Sequence, residues 1–250
     1  MELIEEEKET LEILYRDEYL VAINKPSGLL VHRSMIDRHE TRFAIQILRD
    51  QIGQYVYPLH RLDKPTSGVL LFALDKERAR DMSELFKSRD VKKNYIAIVR
   101  GYTQEEEVID YPLKEILDKM TDKKANQDKE AQEAVTYYKR LATVELPLKV
   151  GRYKTARYSL VSLSPNTGRK HQLRRHFKHI FHPIVGDTTH GDLRHTKLFR
   201  DELNSHRLLL HAKSIMFKHP ITKNDIIIQA PFDITFHQLF HHFKWTSYID

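Results

Sequence analysis

The feature that most constrains the fold is the excess of short strand-like apolar runs over helical ones. Short apolar runs near turn-forming residues predict strands. The predicted strands cover two segments within 11–23 around a turn at 16–18, then 69–74, 95–99, 135–143, 158–163, 208–210, 215–217 and 226–228. These runs do not alternate regularly with helices, as they would in a doubly wound parallel sheet. The sequence therefore predicts an α+β fold with a mixed, largely antiparallel β-sheet core flanked by helices.

Fewer segments carry apolar residues at helical spacing. The predicted helices cover 43–51, 76–87, 171–180 and 232–243. Gly53 is a natural stop for the first helix, and Asp75 can cap the second. Residues 114–133 are charged and contain few apolar residues, which predicts an exposed loop. No internal repeat or low-complexity linker occurs, so we expect an acidic N-terminal tail at 1–10 and a single domain over 11–250.

Composition excludes several classes of chemistry. The 250-residue chain has no cysteine, which excludes disulfides, thiolate zinc sites, iron–sulfur clusters and a thiol nucleophile. Its eight glycines form neither a dinucleotide-binding fingerprint nor a P-loop, and no zinc-protease H-E-x-x-H or hydrolase G-x-S-x-G occurs. We therefore expect no cofactor. An acidic N-terminus and the lack of a long apolar stretch predict a cytoplasmic protein with no membrane partner.

The charge of the chain favours a polyanionic partner. The whole chain carries a formal charge of +6, although residues 1–10 contain five glutamates and one lysine. The remainder is therefore more basic than the total suggests, as in many proteins that bind nucleic acid. An ordinary basic surface is the alternative interpretation.

Two basic segments strengthen the nucleic-acid interpretation. In the first, cations interleave with Tyr153 and Tyr158, which suits phosphate contact beside base stacking. In the second, four cations fall within ten residues that contain no acid. The predicted RNA-contacting residues are Lys149, Arg152, Lys154 and Arg157, and then Arg169, Lys170, Arg174 and Arg175. A solvated charged face is the alternative here too.

Fifteen histidines raise the alternative of a metal site. The candidates are His171, His176, His179, His182 and His190, with Asp187 and Asp192 nearby. His171 and His176 are five residues apart, outside the spacing that shares a helix face. The positive charge of Arg174, Arg175 and Lys178 also disfavours a cation at this place. We expect these histidines to be structural or to face phosphates, with no metal bound.

The loop at 60–68, HRLDKPTSG, resembles the signature loop of RluA-type pseudouridine synthases, H-R-L-D followed by T-S-G. Further segments resemble the motifs of this family in the same order. They are KNYIAIVRG at 93–101, TGRKHQLRRH at 167–176, HPIVGD at 182–187 and LHA at 210–212. Four or five separate motifs in order make a chance likeness negligible.

The resemblance implies an α+β catalytic domain with a central RNA-binding cleft, and an isomerase that converts a uridine of RNA to pseudouridine. Asp63 matches the catalytic aspartate of the family, which acts on the ribose C1′, on the uracil C6 or on a C2′ proton. Arg174 matches the arginine expected to pair with that carboxylate and to keep it ionised. Tyr95 matches a tyrosine that stacks on the flipped base and exchanges a proton. Without the resemblance, the residues alone favour a turn position for Asp63, a phosphate contact for Arg174 and a core position for Tyr95.

Two further residues of the loop have implied roles. Arg61 lies two residues before Asp63 and would point the same way in an extended loop. In the family this arginine can fill the space that the flipped nucleotide leaves, since a stacked uridine must leave its helix to be reached. His60 is expected to support the loop rather than to transfer protons.

The likeness also bears on the substrate. The segments 13–34, 140–161 and 182–194 are most similar to a branch that modifies tRNA, with uridine 65 of the T-stem as the implied target. An S4 RNA-binding module is not expected before the first strand, and we expect a monomer. The alternatives are a ribosomal RNA substrate, an RNA-binding or chaperone protein without catalysis, and a metal-dependent nuclease.

Overall fold

The computed structural model describes residues 9–33, 39–116 and 130–249. Most of the acidic tail and the centre of the charged segment at 114–133 lie outside these residues. The strands are β1 (Ile13–Arg16), β2 (Leu20–Lys25), β3 (Tyr57–Pro58), β4 (Ser67–Ala73), β5 (Lys92–Arg100), β6 (Glu106–Asp110), β7 (Val135–Leu146), β8 (Ala156–Pro165), β9 (Leu210–Lys218) and β10 (Asp225–Gln229). The helices are α1 (Ala44–Ile52), α2 (Lys76–Lys87), α3 (Gln172–His179), α4 (Leu193–Leu203) and α5 (Ile234–Phe243), followed by a 3-10 turn at Thr246–Tyr248.

The described strands form one ten-stranded sheet with the order β1-β2-β4-β9-β5-β8-β7-β6. β3 pairs with β4, and β10 pairs with β9. Every strand pair is antiparallel except β4 and β9, which run parallel. The predicted α+β fold with a mixed, largely antiparallel sheet is confirmed.

The parallel contact between β4 and β9 is short, and it joins two halves of the sheet. Only Ser67 with His211 and Gly68 with Ala212 are paired there, and from Ser214 onward the same edge of β9 pairs with β10 instead. Gly68 has φ +109°, and a Cβ at this position would lie 2.2 Å from the Ala212 carbonyl oxygen. The backbones approach so closely that only glycine fits.

Helices cover both faces of the sheet, which explains why its central strands are apolar throughout. All seven residues of β4 are buried. Leu70 and Phe72 face the cluster that contains α1, whereas Leu71 faces the cluster that contains Met82 of α2. The same alternation occurs in β5 and β8. One face of these strands packs against α3, and the other face packs against α4 and α5. The core therefore lies in layers on either side of one sheet.

Several sequence predictions differ from the structure. The strands predicted at 208–210 and 215–217 are one strand, β9, because the intervening polar residues take part in the sheet and His211 is itself buried. β3, β6 and α4 were not predicted. α4 buries only Leu198 and Phe199, too few to mark an apolar stripe, although Asp192 caps it. No described helix is long and apolar enough to span a membrane.

Candidate active site

The loop that carries Asp63 connects β3 to β4 and ends at the parallel junction of the sheet. Leu62 is buried, whereas its neighbours Arg61 and Asp63 reach the surface, so both point away from the core. The Thr66 N–H donates to the Asp63 carbonyl oxygen at 3.0 Å and closes a turn. The side chain of Asp63 is 26% exposed. Its carboxylate is thus accessible at the end of a well-anchored loop.

Segments from outside the loop fix its backbone. The buried Lys25 Nζ donates to the carbonyl oxygens of Leu29 at 2.8 Å and Lys64 at 3.2 Å. Burial, and then the charge of Arg207, lower the pKa of Lys25 to about 7. The Ser27 hydroxyl donates to the Pro65 carbonyl oxygen at 2.7 Å. These bonds satisfy buried donors and restrain the turn after Asp63.

His60 supports the loop from the opposite end. Its Nε2 accepts the Leu71 N–H of β4 at 3.2 Å, and its ring packs 5.6 Å from that of Phe86. Burial and the nearby Lys93 lower the pKa of His60 to about 3. A neutral imidazole is required here, since a protonated Nε2 could not accept the N–H.

Arg174 connects Asp63 to a second carboxylate. From α3, its Nη1 lies 3.1 Å from Asp63 Oδ2, while its Nε and Nη2 donate to the two oxygens of Asp187 at 2.8 Å each. The side chains of Arg174 and Asp187 are only 5% and 1% exposed. Such a bidentate pair fixes the plane of the guanidinium and therefore the position of Nη1 beside Asp63.

Asp187 is ionised despite its burial. Burial alone would raise the pKa of Asp187, but the hydrogen bonds from Arg174 and from the backbone N–H groups of His190 and Thr189 lower it on balance. The charge of Arg174 is therefore compensated inside the protein, independently of Asp63.

Tyr95 lies on β5 where the pairing of β5 with β9 shifts register. Burial, and then the negative charge of Asp63, raise the pKa of Tyr95. The tyrosine is therefore protonated at neutral pH, with its hydroxyl in the electrostatic field of the carboxylate. The structure brings Asp63, Arg174 and Tyr95 to one place from the 60–68 loop, α3 and β5.

The second basic segment, residues 169–175, lies next to the residues that hold Asp63. Arg169 Nε donates to the Glu133 carbonyl oxygen at 3.0 Å, and Lys170 Nζ to that of Ile116 at 3.3 Å. Arg175 is partly buried, and burial lowers its pKa. These contacts hold the cations on α3 and on the turn before it, next to the residues that hold Asp63.

The first basic segment lies elsewhere. Residues 149–157, called here the basic hairpin, comprise most of the connection from β7 to β8 and the first two residues of β8. They lie at the Gly101 end of β5, where the Gly101 N–H donates to the Arg157 carbonyl oxygen at 2.7 Å. The six residues from Tyr95 to Arg100 span about 16 Å along an extended strand. A cavity of about 440 Å³ opens beside the hairpin. Arg152 packs 5.1 Å from the ring of Tyr153, and Arg157 packs 5.4 Å from that of Tyr102. The basic hairpin therefore does not contact Asp63.

Two contacts of the site do not follow from the sequence motifs, those of Asp187 and those of His171 with its neighbours. Asp187 was noted only within the HPIVGD motif and among metal candidates, yet it is the main partner of Arg174. His171 lies beside Asp63, and His190 contacts His171. The presence of Asp187 in a family motif was the sequence signal that could have indicated its role.

Within the described residues, no group of three or more His, Asp or Glu side chains could hold a metal ion.

Comparison with known proteins finds relatives over most of the chain. The family model for RNA pseudouridylate synthase matches residues 19–179. The chain is 59% identical to tRNA pseudouridine synthase C of Vibrio parahaemolyticus, covering 94% of this chain and 96% of the relative. It is 58% identical to the enzyme of the same name from Haemophilus influenzae, covering 95% and 99%.

Solved structures show the same likeness. Human RNA pseudouridylate synthase domain containing 4 superposes with a TM-score of 0.70 at 28% identity, covering 93% of each chain. Human RNA pseudouridylate synthase domain containing 1 gives 0.67 at 26% identity, covering 92% of this chain and 86% of the other. The family model and these relatives define the class of protein, an RNA-modifying isomerase. The chain belongs to the RNA pseudouridylate synthase family, in its RluA-type branch.

Proposed function

We propose that this chain converts a uridine of tRNA to pseudouridine, with Asp63 as the catalytic carboxylate. One observation carries the proposal. The accessible carboxylate of Asp63 lies 3.1 Å from Arg174, which is buried and paired with a second acid, Asp187. The relatives named tRNA pseudouridine synthase C support tRNA as the substrate. The resemblance of the segments 13–34, 140–161 and 182–194 to that branch implies uridine 65 of the T-stem as the target.

The reaction breaks the bond between uracil N1 and the ribose C1′ and forms a bond between C5 and C1′. One proton leaves C5 and one is gained at N1, so no electrons are exchanged. Asp63 attacks C1′, attacks C6 or removes the C2′ proton, and each route requires an ionised carboxylate next to the nucleoside. Arg174 contacts that carboxylate at 3.1 Å, and Asp187 keeps Arg174 in place.

The other residues of the site act on the base and the RNA. Tyr95 stacks on the everted uracil, and its hydroxyl exchanges a proton late in the reaction. Arg61, exposed two residues before Asp63, fills the space that the uridine leaves and offsets part of the lost stacking. Arg169, Lys170 and Arg175, together with the cations of the basic hairpin, contact phosphates on either side of the target.

The test is tritium release from tRNA transcripts labelled at uridine C5. We expect wild-type enzyme to release tritium and Asp63→Asn to release none, with equal tRNA affinity in a filter-binding assay, because only the charge of one carboxylate is removed. Substantial turnover by Asp63→Asn would contradict the role of Asp63 as the catalytic carboxylate. Pseudouridine mapping of tRNA and ribosomal RNA from a deletion strain tests the substrate, and loss of the modification from ribosomal RNA alone would contradict it.

A further inference from the structure

His171 has an unusual backbone conformation beside the carboxylate of Asp63. It precedes α3 with φ +56° and ψ +28°, a left-handed conformation that non-glycine residues seldom adopt. Its side chain does not cap the helix. Instead, His171 Nε2 faces Asp63 Oδ1 at 3.8 Å, while Arg174 Nη1 contacts the other oxygen, Oδ2. Strained backbone of this kind is often kept where it positions a functional side chain.

A second imidazole holds the first. His171 Nδ1 lies 2.9 Å from His190 Nε2, with the two rings nearly perpendicular. His190 is held in turn, because its backbone N–H donates to Asp187 Oδ1 at 2.9 Å. The chain of contacts therefore begins at Asp187, the acid that pins Arg174, and ends at Asp63 Oδ1.

Both rings are neutral near pH 7. Burial lowers the pKa of both histidines, that of His190 to about 4, although the charge of Asp63 opposes the shift at His171 and that of Asp187 opposes it at both. The charged groups that act on the pair are the acids Asp63 and Asp187 and the cations Arg174, Lys170 and Lys178. A neutral imidazole has one N–H, so a single proton lies between His171 Nδ1 and His190 Nε2.

Electrostatics decides which ring donates that proton. If His171 donated from Nδ1, its Nε2 would present a bare lone pair to the carboxylate of Asp63, which is repulsive. If His190 donates from Nε2, His171 must carry its own proton on Nε2, directed at Asp63 Oδ1. The second arrangement places an N–H beside the negative charge, as in the many histidines that donate one ring N–H to a carboxylate.

We propose that His190 and His171 are positioning residues for Asp63: His190 donates Nε2–H to His171 Nδ1 and so directs the His171 Nε2–H at Asp63 Oδ1. The inference rests on the proposed catalytic role of Asp63. The carboxylate is then held at Oδ2 by Arg174 and at Oδ1 by His171, which fixes its rotamer. The distance of 3.8 Å in the structure without RNA is longer than a hydrogen bond, as is common for catalytic contacts that tighten only in the substrate complex.

Matched substitutions separate positioning from packing. Glutamine keeps a donor near the position of Nε2, so His171→Gln and His190→Gln are the conservative variants. His171→Asn tolerates the left-handed backbone but is too short to reach Asp63, and His190→Leu removes the donor. The exposed His241 on α5 provides the control, His241→Leu.

The measurement is the single-turnover rate of tritium release as a function of pH, with the melting temperature of each variant recorded. We expect His171→Asn and His190→Leu to lose about tenfold in rate across the pH range, because the Asp63 carboxylate is then held at one oxygen only. Both glutamine variants, which keep the donor, should keep the wild-type rate. Equal loss of rate in the glutamine variants and in His171→Asn and His190→Leu would overturn the inference.

A double-mutant cycle and a spectrum complete the test. His190→Leu should have no further effect in the His171→Gln background, because glutamine needs no tautomer to be fixed; an equal effect in both backgrounds would contradict the pairing. Nitrogen-15 NMR of the histidine rings should show the Nε2–H tautomer in both residues, and an Nδ1–H tautomer of His171 would contradict it. Because the spectrum needs no RNA, it tests the pair even if the wild type failed to modify tRNA.

Discussion

At the scale of single residues, the site depends on a buried charge that is compensated before any substrate arrives. Arg174 contacts Asp63 through one nitrogen and Asp187 through two, and both Arg174 and Asp187 are almost fully buried. Removing a charge from water is costly unless a partner replaces the lost solvation. Asp187 supplies that compensation, so Asp63 is free to change its interactions during the reaction.

The substitution Asp187→Asn tests this division of roles. We expect it to cost about 3 kcal/mol of unfolding free energy, since it leaves a buried guanidinium without its main counter-charge. Single-turnover tritium release should also fall, because Arg174 Nη1 is no longer held beside Asp63. Urea unfolding measures the first effect. Asp201→Asn, in an exposed pair with Lys197, is the control and should change neither quantity; wild-type stability of Asp187→Asn would contradict the interpretation.

At the scale of elements, the β3–β4 connection is held by a histidine that must remain neutral. His60 accepts the Leu71 N–H, and its pKa is about 3 rather than the ordinary 6.5. Between these values the unfolded chain binds a proton that the folded chain does not. The stability that His60 contributes is therefore full above pH 6.5 and is lost as the pH falls from 6.5 toward 3.

We expect His60→Gln to move the midpoint of acid unfolding to lower pH. The amide oxygen of glutamine can accept the Leu71 N–H but cannot be protonated in this range. Circular dichroism at decreasing pH measures the midpoint, and His241→Gln, at an exposed position, should leave it unchanged. An unmoved midpoint in His60→Gln would show that this imidazole does not titrate on unfolding.

The junction between β4 and β9 offers a second test at this scale. Gly68→Ala would place a Cβ 2.2 Å from the Ala212 carbonyl oxygen, whereas Gly53→Ala, also at positive φ, meets nothing within 4 Å. We expect Gly53→Ala to lose only the backbone cost of about 1 kcal/mol. Gly68→Ala should lower the melting temperature by about 10 °C or prevent soluble expression. Equal melting temperatures for the two variants would mean that the junction can open without cost.

At the scale of the whole molecule, positive charge occurs at two separate places. The cations of α3 lie next to Asp63, and the basic hairpin lies at the far end of β5, where all four of its cations are exposed. A separation of about 16 Å along β5 is several times the spacing of successive phosphates in one strand. The two places can therefore contact different parts of one folded RNA.

Replacing Arg152 and Lys154 together by alanine tests the distant contact. We expect weaker tRNA binding and a salt dependence reduced by about one to two units of slope, because one to two phosphate contacts are lost. The single-turnover rate at saturating tRNA should stay at the wild-type value, since Asp63 is remote. The matched control replaces Lys197 and Arg200, two exposed cations of α4. Equal loss of affinity in both pairs would indicate a non-specific charge effect.

Much of the fold follows from local patterns. The apolar runs at 69–74 and 95–99 predicted β4 and β5, Gly53 ends α1 in a left-handed conformation, and Asp75 caps α2. The sequence patterns did not predict α4 or the centre of β9, and the two failures have a common cause. Both elements are stabilised by packing and pairing with distant residues rather than by their own pattern of apolar residues. His211 lies in a buried strand because Ser67, far away in the sequence, is hydrogen-bonded to its ring at 2.8 Å.

The sequence by itself determined the family, the class of fold and the loop that carries Asp63, because ordered motifs and apolar runs are local properties of a chain. It also placed Arg174 and Tyr95 in the family motifs. Only the tertiary structure decided that Asp187 compensates Arg174, that His190 contacts His171, and that the basic hairpin lies away from Asp63. These relations depend on which face of α3 and which end of β5 meet the loop, and such distances arise only when the sheet has formed.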